Sequence, residues 1–308
     1  MNMPSAQTAL LPSYVLITPA RNEARLIEQT LLAVVAQTVR PLMWVIVSDG
    51  STDATDAIVA RYAQHHDWIK LVRRPAGAPR DFAGKVRAFN VGKAALFDLQ
   101  FDVIGSLDAD ITFEAGYFEF ILSQFARDPT LGVAGTPFRE GTHQYDYRYT
   151  NIHHVSGACQ VFRRECFDAI GGYQPLKGGG IDWVAVTTAR MLGWHTRTFV
   201  ERVCFHHRPM GTAQSSQCAA RFRLGKKDQA LGNHPLWELL RCAYQMKSAP
   251  YVLGGLCLLS GYTWGWVSGA AKSASPELMA FHRREQMARL RALLAQRLRW
   301  LQPMRGRT

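Results

Sequence analysis

The first half of the chain alternates between short apolar runs and longer mixed segments. Four apolar runs are typical of buried strands: 14–18, 44–47, 69–72 and 103–107. Helices are predicted between them, over 24–38, from about 53 to 65, and over 85–99. Strands and helices that alternate at this distance indicate parallel βαβ units. The pattern therefore predicts an α/β fold with a mostly parallel central sheet flanked by helices.

Three polar clusters directly follow predicted strands. They are Arg21-Asn22-Glu23, Asp49-Gly50-Ser51 and Asp108-Ala109-Asp110. In open parallel sheets, ligands bind at the carboxyl ends of the strands. We therefore expect the three clusters to line one crevice.

Asp108 and Asp110 form the most distinctive of these clusters. Residues two apart in an extended chain project to the same side, so both carboxylates can face one point. Their mutual repulsion is relieved by a cation, and oxygen ligands suit Mg²⁺ or Mn²⁺. The alternative is a strand that runs into an ordinary acidic turn, where Asp is common.

Composition limits the class of protein. With 308 residues, 47% of them hydrophobic, the chain can form one large domain or a domain with an appendage. The six cysteines are scattered with no C-x-x-C, which argues against a disulfide framework or a zinc site and fits a reducing cytosol. Residues 1–13 lack the pattern of a signal peptide.

The order and spacing of several motifs resemble those of the family 2 glycosyltransferases, enzymes with the Rossmann-like GT-A fold. The resemblance covers roughly residues 13–210. It rests on these segments: Thr18 to Glu23, Val47 to Asp53, Gly84-Lys85 with Asn90, Leu107 to Asp110, Ser156 to Ala158 with Phe162 to Arg164, Gly171 to Tyr173, and Gly180 to Asp182. The polymerase-type Q-x-x-R-W signature is absent, which suggests transfer of single sugars.

The resemblance implies roles for individual residues. The residue matching Asp49 contacts the nucleobase, and the region of Pro19, Arg21 and Glu23 lines the nucleotide pocket. Asp110 is expected to bind the metal, with Asp108 near the ribose and the metal. The residue matching Asp182 is the catalytic base of an inverting transfer, although Ile181 stands where the family usually has another acid. From the residues alone, an ordinary N-cap is the favoured role for Asp182 in its glycine loop, and the resemblance reverses that preference.

Three basic groups extend the predicted site. His206 and His207 end a strand predicted over 196–205 and are candidate metal ligands; the alternative is a surface or packing role. Arg208 is a candidate to hold the diphosphate, or is simply exposed. Lys85 begins a helix, where its charge opposes the helix dipole, so it makes better sense facing phosphate or nucleobase.

Charge and hydropathy set the C-terminal third apart. The net charge is +12, which suits nucleic acid, an anionic membrane or phosphorylated small molecules, and nine basic against two acidic residues follow Ala271. Residues 248–271 carry no charge, and as one helix they would span about 36 Å, enough to cross a bilayer. A single crossing would separate the catalytic domain from the basic tail, which favours the cytosolic side.

Three arrangements avoid that conflict: a re-entrant hairpin kinked around Gly261, helices lying in the interface with Trp264 and Trp266 at headgroup depth, or a buried core hairpin. The basic helix that follows favours the membrane. We therefore predict an N-terminal extension (1–12), a GT-A domain (13–225) and a C-terminal helical membrane-associating region (226–308). The enzyme would be monotopic or peripheral at the cytoplasmic face of the inner (plasma) membrane.

The function predicted is that of an inverting, metal-dependent glycosyltransferase. It would use a nucleotide-sugar donor, Mn²⁺ or Mg²⁺, and a lipid or lipid-linked acceptor. Two alternatives come from other classes: a non-catalytic nucleotide-binding scaffold of the same fold, and a basic nucleic-acid-binding protein. Against the latter, the basic residues lie beside an apolar run and no nucleic-acid module is recognised.

Overall fold

The chain forms two compact units, Met1–Pro209 and Met210–Thr308. The computed structural model describes residues 10–75, 82–140, 151–176, 179–208, 217–247 and 249–301. Most of the predicted N-terminal extension therefore lies outside the described residues. The predicted domain boundary at residue 225 falls inside a helix, Gln217–Ala230, of the second unit.

Strands and helices alternate through the first unit. In chain order they are β1 (Tyr14–Ala20), α1 (Ile27–Val35), β2 (Met43–Asp49), α2 (Thr55–His65), β3 (Ile69–Arg74), α3 (Phe82–Ala94), β4 (Val103–Leu107), β5 (Ile111–Thr112), α4 (Tyr117–Arg127), β6 (Leu131–Gly135), β7 (Phe138–Arg139), β8 (Cys159–Arg163), α5 (Arg164–Ala169), α6 (Ile181–Met191), β9 (His195–Thr198) and β10 (Cys204–His206).

A seven-stranded sheet with the order β3-β2-β1-β4-β8-β6-β9 forms the centre of this unit. Its first four strands are parallel, and β8 runs antiparallel to both of its neighbours. Alternate residues of β1 enter different cores: Tyr14 and Leu16 belong to one, Val15 and Ile17 to the other. Because both faces are covered, the strands are continuous apolar runs rather than alternating ones. The predicted α/β fold with a mostly parallel sheet is confirmed.

A second sheet is small and has the order β5-β10-β7. It corrects the prediction of one strand over 196–205, because β9 belongs to the large sheet and β10 to the small one. The residues between them include Glu201 and Arg202, which are exposed. Two charged residues at a solvent-facing turn are a reason for the chain to leave one sheet before it enters the other.

The second unit is helical in the described residues. Its elements are α7 (Gln217–Ala230), α8 (Pro235–Gln245), α9 (Leu253–Val267) and α10 (Pro276–Leu301). Helices α7 and α9 meet through glycines: a Cβ on Gly225 would lie 2.0 Å from the carbonyl oxygen of Leu258, and one on Gly261 would lie 2.0 Å from that of Phe222. Gly261 is thus a contact point within a continuous helix, which rules out the alternative of a hairpin kinked at this residue.

The uncharged run 248–271 contains one helix of 15 residues, α9, which is about 22 Å long. Within the described ranges, no helix combines the length and the apolar character needed to span a bilayer.

Candidate functional site

The carboxyl ends of β1, β2 and β4 meet at one edge of the large sheet. Ala20 of β1 is in register with Ser48 of β2, and β4 pairs with the other side of β1 in the same direction. Pro19 is the penultimate residue of β1 and lies opposite Val47. The segments that begin at Arg21, Asp49 and Asp108 therefore leave the sheet at one edge, as predicted from their positions after strands.

The loops after β1 and β2 are tied together by side chains. Asn22 accepts a hydrogen bond from the Thr52 backbone N–H at 2.8 Å, and Asp53 accepts one from the Ala24 N–H at 3.0 Å. Burial opposes ionisation of Asp53, but hydrogen bonds from Thr55 and from Ala24 lower its pKa below the ordinary value. The polar residues of these two motifs thus fix the shape of the loops.

Asp49, at the end of β2, is paired with Arg74 at the end of β3. The distance from Arg74 Nη1 to Asp49 Oδ1 is 2.6 Å, and the two residues face each other in the parallel register. Sequence reasoning missed Arg74. The available indication was that Arg74, like Asp49, follows a buried strand.

Lys85 lies in the first turn of α3, and the charges of three carboxylates act on it. Its ammonium donates a hydrogen bond to Asp108 Oδ1. Burial opposes the charged ammonium, but the carboxylates of Asp108, Asp182 and Asp110 together raise the pKa of Lys85 above its ordinary value. Asp182 therefore acts on the same ammonium as the acid pair, although it comes from a distant segment of the chain.

The two acids that follow β4 differ in their surroundings. Burial raises the pKa of Asp108 above its ordinary value, the neighbouring charge of Asp110 adds to that rise, and Lys85 opposes it. Asp110 is only 7% exposed, and its Oδ1 has no hydrogen-bond partner among the described residues. A buried carboxylate oxygen without a partner is costly, so its position calls for a ligand.

His206 is the imidazole nearest that oxygen. Its Nε2 lies 3.5 Å from Asp110 Oδ1, and its Nδ1 lies 2.8 Å from Glu140 Oε1. The ring of the next residue, His207, makes a different contact, at 2.8 Å from Nε2 to Thr112 Oγ1. His207 lies just past the end of β10, and its ring contacts Thr112 rather than the acids. The contact with Asp110 favours His206 as the candidate ligand, while a metal role for His207 stays a prediction.

The residues present fit a divalent ion only in part. Among the described residues, no three His, Cys, Asp or Glu side chains form a group that could hold a metal ion by themselves. Asp110 and His206 offer one carboxylate oxygen and one imidazole nitrogen, both in the buried part of the site. Mg²⁺ and related ions are often bound by one or two protein ligands while substrate phosphates and water complete the shell.

Arg208 connects Glu23, in the loop after β1, to Asp110. It donates a hydrogen bond to Glu23 Oε2, and its Nε lies 3.7 Å from Asp110 Oδ2. Burial opposes the charged guanidinium, but Glu23 and then Asp110 raise the pKa of Arg208. A fixed positive charge therefore stands beside the acid pair, where an anionic ligand would meet it.

Asp182 lies in the first turn of α6 and packs against Gly157. A Cβ on Gly157 would be 3.0 Å from Asp182 Cβ and 3.3 Å from its Oδ2. Gly179 and Gly180 have φ of +80° and +88°, which L side chains rarely adopt, and Gly180 is the N-cap of the helix. The N-cap alternative for Asp182 is therefore wrong. The absence of a side chain at Gly157 leaves room for the Asp182 carboxylate.

Comparison with known proteins gives the following matches. The family model described as Glycosyl transferase family 2 matches residues 15–171. The beta-monoglucosyldiacylglycerol synthase of Synechocystis sp. is 28% identical over 199 residues, which are 64% of this chain and 40% of that protein. The probable glycosyltransferase YdaM of Bacillus subtilis is 27% identical over 223 residues, covering 65% of this chain and 51% of YdaM. The chain thus spans about half or less of the length of these curated relatives.

A solved structure resembles the whole fold. The mannosyltransferase PcManGT from Pyrobaculum calidifontis, determined in complex with GDP-Man and Mn²⁺, aligns with a TM-score of 0.54 at 20% identity, covering 92% of this chain and 81% of that one. At this identity the similarity shows the fold alone. It confirms the predicted GT-A architecture.

Proposed function

This chain belongs to glycosyl transferase family 2, and from that premise we propose that it moves a sugar from a nucleoside-diphosphate donor to a membrane-borne acceptor, with inversion at the anomeric carbon. The observation that carries the proposal is the hydrogen bond from Lys85 to Asp108, together with the effect of Asp108, Asp182 and Asp110 on the pKa of the same ammonium. One carboxylate in that group can act as a base while the other two face the donor.

The donor would lie along the edge where β1, β2 and β4 end. Asp49 would accept hydrogen bonds from the nucleobase, with Arg74 holding its carboxylate in place. Pro19, Arg21 and Glu23 would line the nucleotide pocket. Arg208, fixed by Glu23, would meet the diphosphate as a positive charge.

Lys85 would contact the diphosphate of the same donor. Its ammonium donates a hydrogen bond to Asp108 and is close enough to Asp110 and Asp182 for their charges to raise its pKa. A bound diphosphate would interact with the same positive charge as these carboxylates. Asp108 would then accept a hydrogen bond from a ribose hydroxyl. The ammonium would keep two neighbouring carboxylates from repelling each other when no donor is bound.

The residues that would hold Mn²⁺ or Mg²⁺ are Asp110 and His206, with diphosphate oxygens as further ligands. Two observations support them: Asp110 Oδ1 has no hydrogen-bond partner in the part of the chain that the structure describes, and the His206 imidazole lies 3.5 Å from it. When bound, the ion would neutralise the charge that develops on the departing diphosphate. PcManGT, which shares the fold, was solved with Mn²⁺.

Asp182 would act as the general base. As the acceptor oxygen forms its bond to the anomeric carbon, the bond to the diphosphate oxygen breaks, and the hydroxyl proton passes to the Asp182 carboxylate. Attack on the face opposite the leaving group inverts the centre. Gly157 supports this role because it gives the carboxylate the space that any side chain would fill.

The acceptor would be a lipid or a lipid-linked glycan at the cytoplasmic face of the membrane. A relative at 28% identity is named as a synthase of a glucosyldiacylglycerol. The excess of basic residues after Ala271 further supports an anionic surface as partner. Nucleotide sugars are cytosolic, which accounts for the side of the membrane.

The experiment that tests this proposal separates donor binding from turnover. A set of nucleotide sugars that includes GDP-Man and UDP-GlcNAc is screened by thermal shift with and without Mn²⁺, since a ligand that binds only the native state raises its stability. The donor that raises the melting temperature is then used in a hydrolysis and transfer assay with wild type and Asp182→Asn. We expect the variant to keep the thermal shift and to lose turnover by about 10³-fold or more.

The matched control is Asp168→Asn, because Asp168 is an exposed carboxylate paired with Lys93 outside the site. It should keep both binding and turnover. Full turnover by Asp182→Asn would overturn the assignment of the base. No thermal shift with any nucleotide sugar would overturn the donor, and binding without any turnover in wild type would favour a non-catalytic scaffold.

A further inference from the structure

The second unit holds almost the whole net charge of the protein. It contains fifteen Lys and Arg against four Asp and Glu, which is +11 of the chain's +12. Two of the four acids, Asp228 and Glu238, are buried beside Arg241 and so lie away from the surface of the unit. Only Glu277 and Glu285 remain to offset the basic residues on its surface.

One face of α9 is apolar and yet exposed. Leu253, Leu256, Trp264 and Val267 recur at helical spacing and are each about half exposed or more. The opposite face is the one that packs, since Gly261 lies against α7. A helix that is apolar all round is normally buried on every side. The outward face of α9 is exposed instead, so within the described residues no other element of the unit covers it.

The turn between α8 and α9 extends this surface. Tyr244 near the end of α8, Tyr251 and Val252 in the turn, and Leu253 and Leu256 at the start of α9 are 45% or more exposed. We call these five residues the apolar tip. No acidic residue lies between Glu238 and Glu277, while Lys247 stands next to the tip in sequence.

We propose that the apolar tip is a membrane-docking surface, which inserts into the headgroup region of a bilayer that contains anionic lipids. Trp264 continues the inserted face along α9, and Lys and Arg of the same unit contact lipid phosphates. Amphipathic surfaces of this kind bind by the sum of buried apolar area and attraction to anionic lipid. The proposal deepens the proposed function, on which its biological meaning rests, by naming the surface that meets the acceptor's membrane.

Charge selects this occupant over two others. A second copy would bring another +11 against the first, so like charges would oppose pairing of two tips. A nucleic acid would satisfy the basic residues and could stack on the two tyrosines, but it would leave the valine and the two leucines of the tip in water. An anionic bilayer satisfies both the charge and the apolar face.

The test uses the full chain and two kinds of vesicle, phosphatidylcholine alone and phosphatidylcholine mixed with phosphatidylglycerol. Co-sedimentation is measured for wild type, for the double variant Leu253→Glu with Leu256→Glu, and for Phe97→Glu. Phe97 is the control because it is 81% exposed, apolar and in the first unit. We expect wild type and Phe97→Glu to bind the mixed vesicles, and the double variant to bind about tenfold or more weakly.

Binding of the double variant as tight as that of wild type overturns the proposal. Equal binding of wild type to neutral and mixed vesicles overturns the role of anionic lipid. If light scattering shows a wild-type dimer that the double variant dissolves, with no vesicle binding, the tip is a self-association surface instead. Donor hydrolysis is measured on the same samples. If wild type hydrolyses no donor, the proposed function is contradicted, whereas the docking surface is decided by vesicle binding alone.

Discussion

The Nε2 of His206 lies 3.5 Å from the Oδ1 of Asp110, a buried oxygen that has no hydrogen-bond partner among the described residues. On the other side of the ring, Nδ1 lies 2.8 Å from Glu140 Oε1. A carboxylate that holds one imidazole nitrogen orients the other and makes it a better metal ligand. Glu140 therefore matters to the site although it need not touch the ion.

Replacing Glu140 by Ala should weaken Mn²⁺ binding by about 10- to 100-fold, the usual cost of losing such an orienting partner. Electron paramagnetic resonance of free Mn²⁺, titrated with the protein and the donor nucleotide, measures this without turnover. Glu140→Gln keeps an acceptor for Nδ1 and should recover part of the affinity. Glu114→Gln, which alters an exposed glutamate paired with Arg202, serves as control. Unchanged Mn²⁺ affinity in Glu140→Ala would remove Glu140 from the site.

The position of the acids could be predicted because strand ends are easy to recognise. A buried apolar run that stops at a charged residue marks the edge of a parallel sheet, and this logic found Asp49, Asp108 and Asp110 together. The same logic supplied the fold, since four such runs in succession leave few alternatives to βαβ units.

The same logic points to the end of β3, where Arg74 lies, but it does not pair Arg74 with Asp49 and gives no indication of Glu140. Arg74 meets Asp49 because β2 and β3 pair in a particular register, and Glu140 meets His206 because β7 pairs with β10. Both contacts depend on tertiary pairing, which local patterns do not encode. The contact of His206 with Asp110 likewise depends on the small sheet, in which β10 pairs with β5.

Lys85 sets the protonation of Asp108. Burial raises the pKa of Asp108, Asp110 adds to the rise, and Lys85 opposes it. In Lys85→Met the pKa of Asp108 should rise further, and the acid limb of the kcat/KM profile should move to higher pH. At pH 7 we expect kcat/KM to fall roughly 10- to 100-fold, matching a lost charged hydrogen bond of about 1.5–3 kcal/mol.

The raised pKa of Asp108 also makes the free energy of unfolding depend on pH. Because the folded protein binds the Asp108 proton more tightly than the unfolded chain does, this group lowers the free energy of unfolding as pH rises above its ordinary pKa. Lys85→Met should therefore be destabilised more at pH 7 than at pH 5, as measured by urea unfolding. Lys93→Met, which breaks an exposed pair with Asp168, should show no such pH dependence. If the acid limb of the kcat/KM profile of Lys85→Met stayed at the wild-type pH, Lys85 would not control the protonation of Asp108.

Gly157→Ala tests the packing beneath the proposed base. The new methyl would lie 3.0 Å from Asp182 Cβ and 3.3 Å from its Oδ2, so the carboxylate must shift by a few tenths of an ångström. We expect kcat to fall about tenfold with little change in KM for the donor, because misplacement of a reacting group affects the chemical step. Steady-state kinetics measure both.

Gly116→Ala is the control for that change, since a Cβ there would have nothing within 4 Å. It should leave both constants as in wild type. If Gly157→Ala raised KM and left kcat unchanged, Asp182 would be a donor contact instead of the base.

Gly261→Ala should destabilise the helical unit by about 1–3 kcal/mol, because its methyl would lie 2.0 Å from the carbonyl oxygen of Phe222. Alanine gains about 1 kcal/mol of helix propensity over glycine, but a backbone oxygen on the neighbouring helix cannot turn aside as a side chain would. The clash therefore wins. Urea unfolding followed by circular dichroism measures the change, and the exposed neighbour Ser260→Ala should stay within about 0.5 kcal/mol of wild type. A stabilised Gly261→Ala would mean that α7 and α9 do not make this close contact.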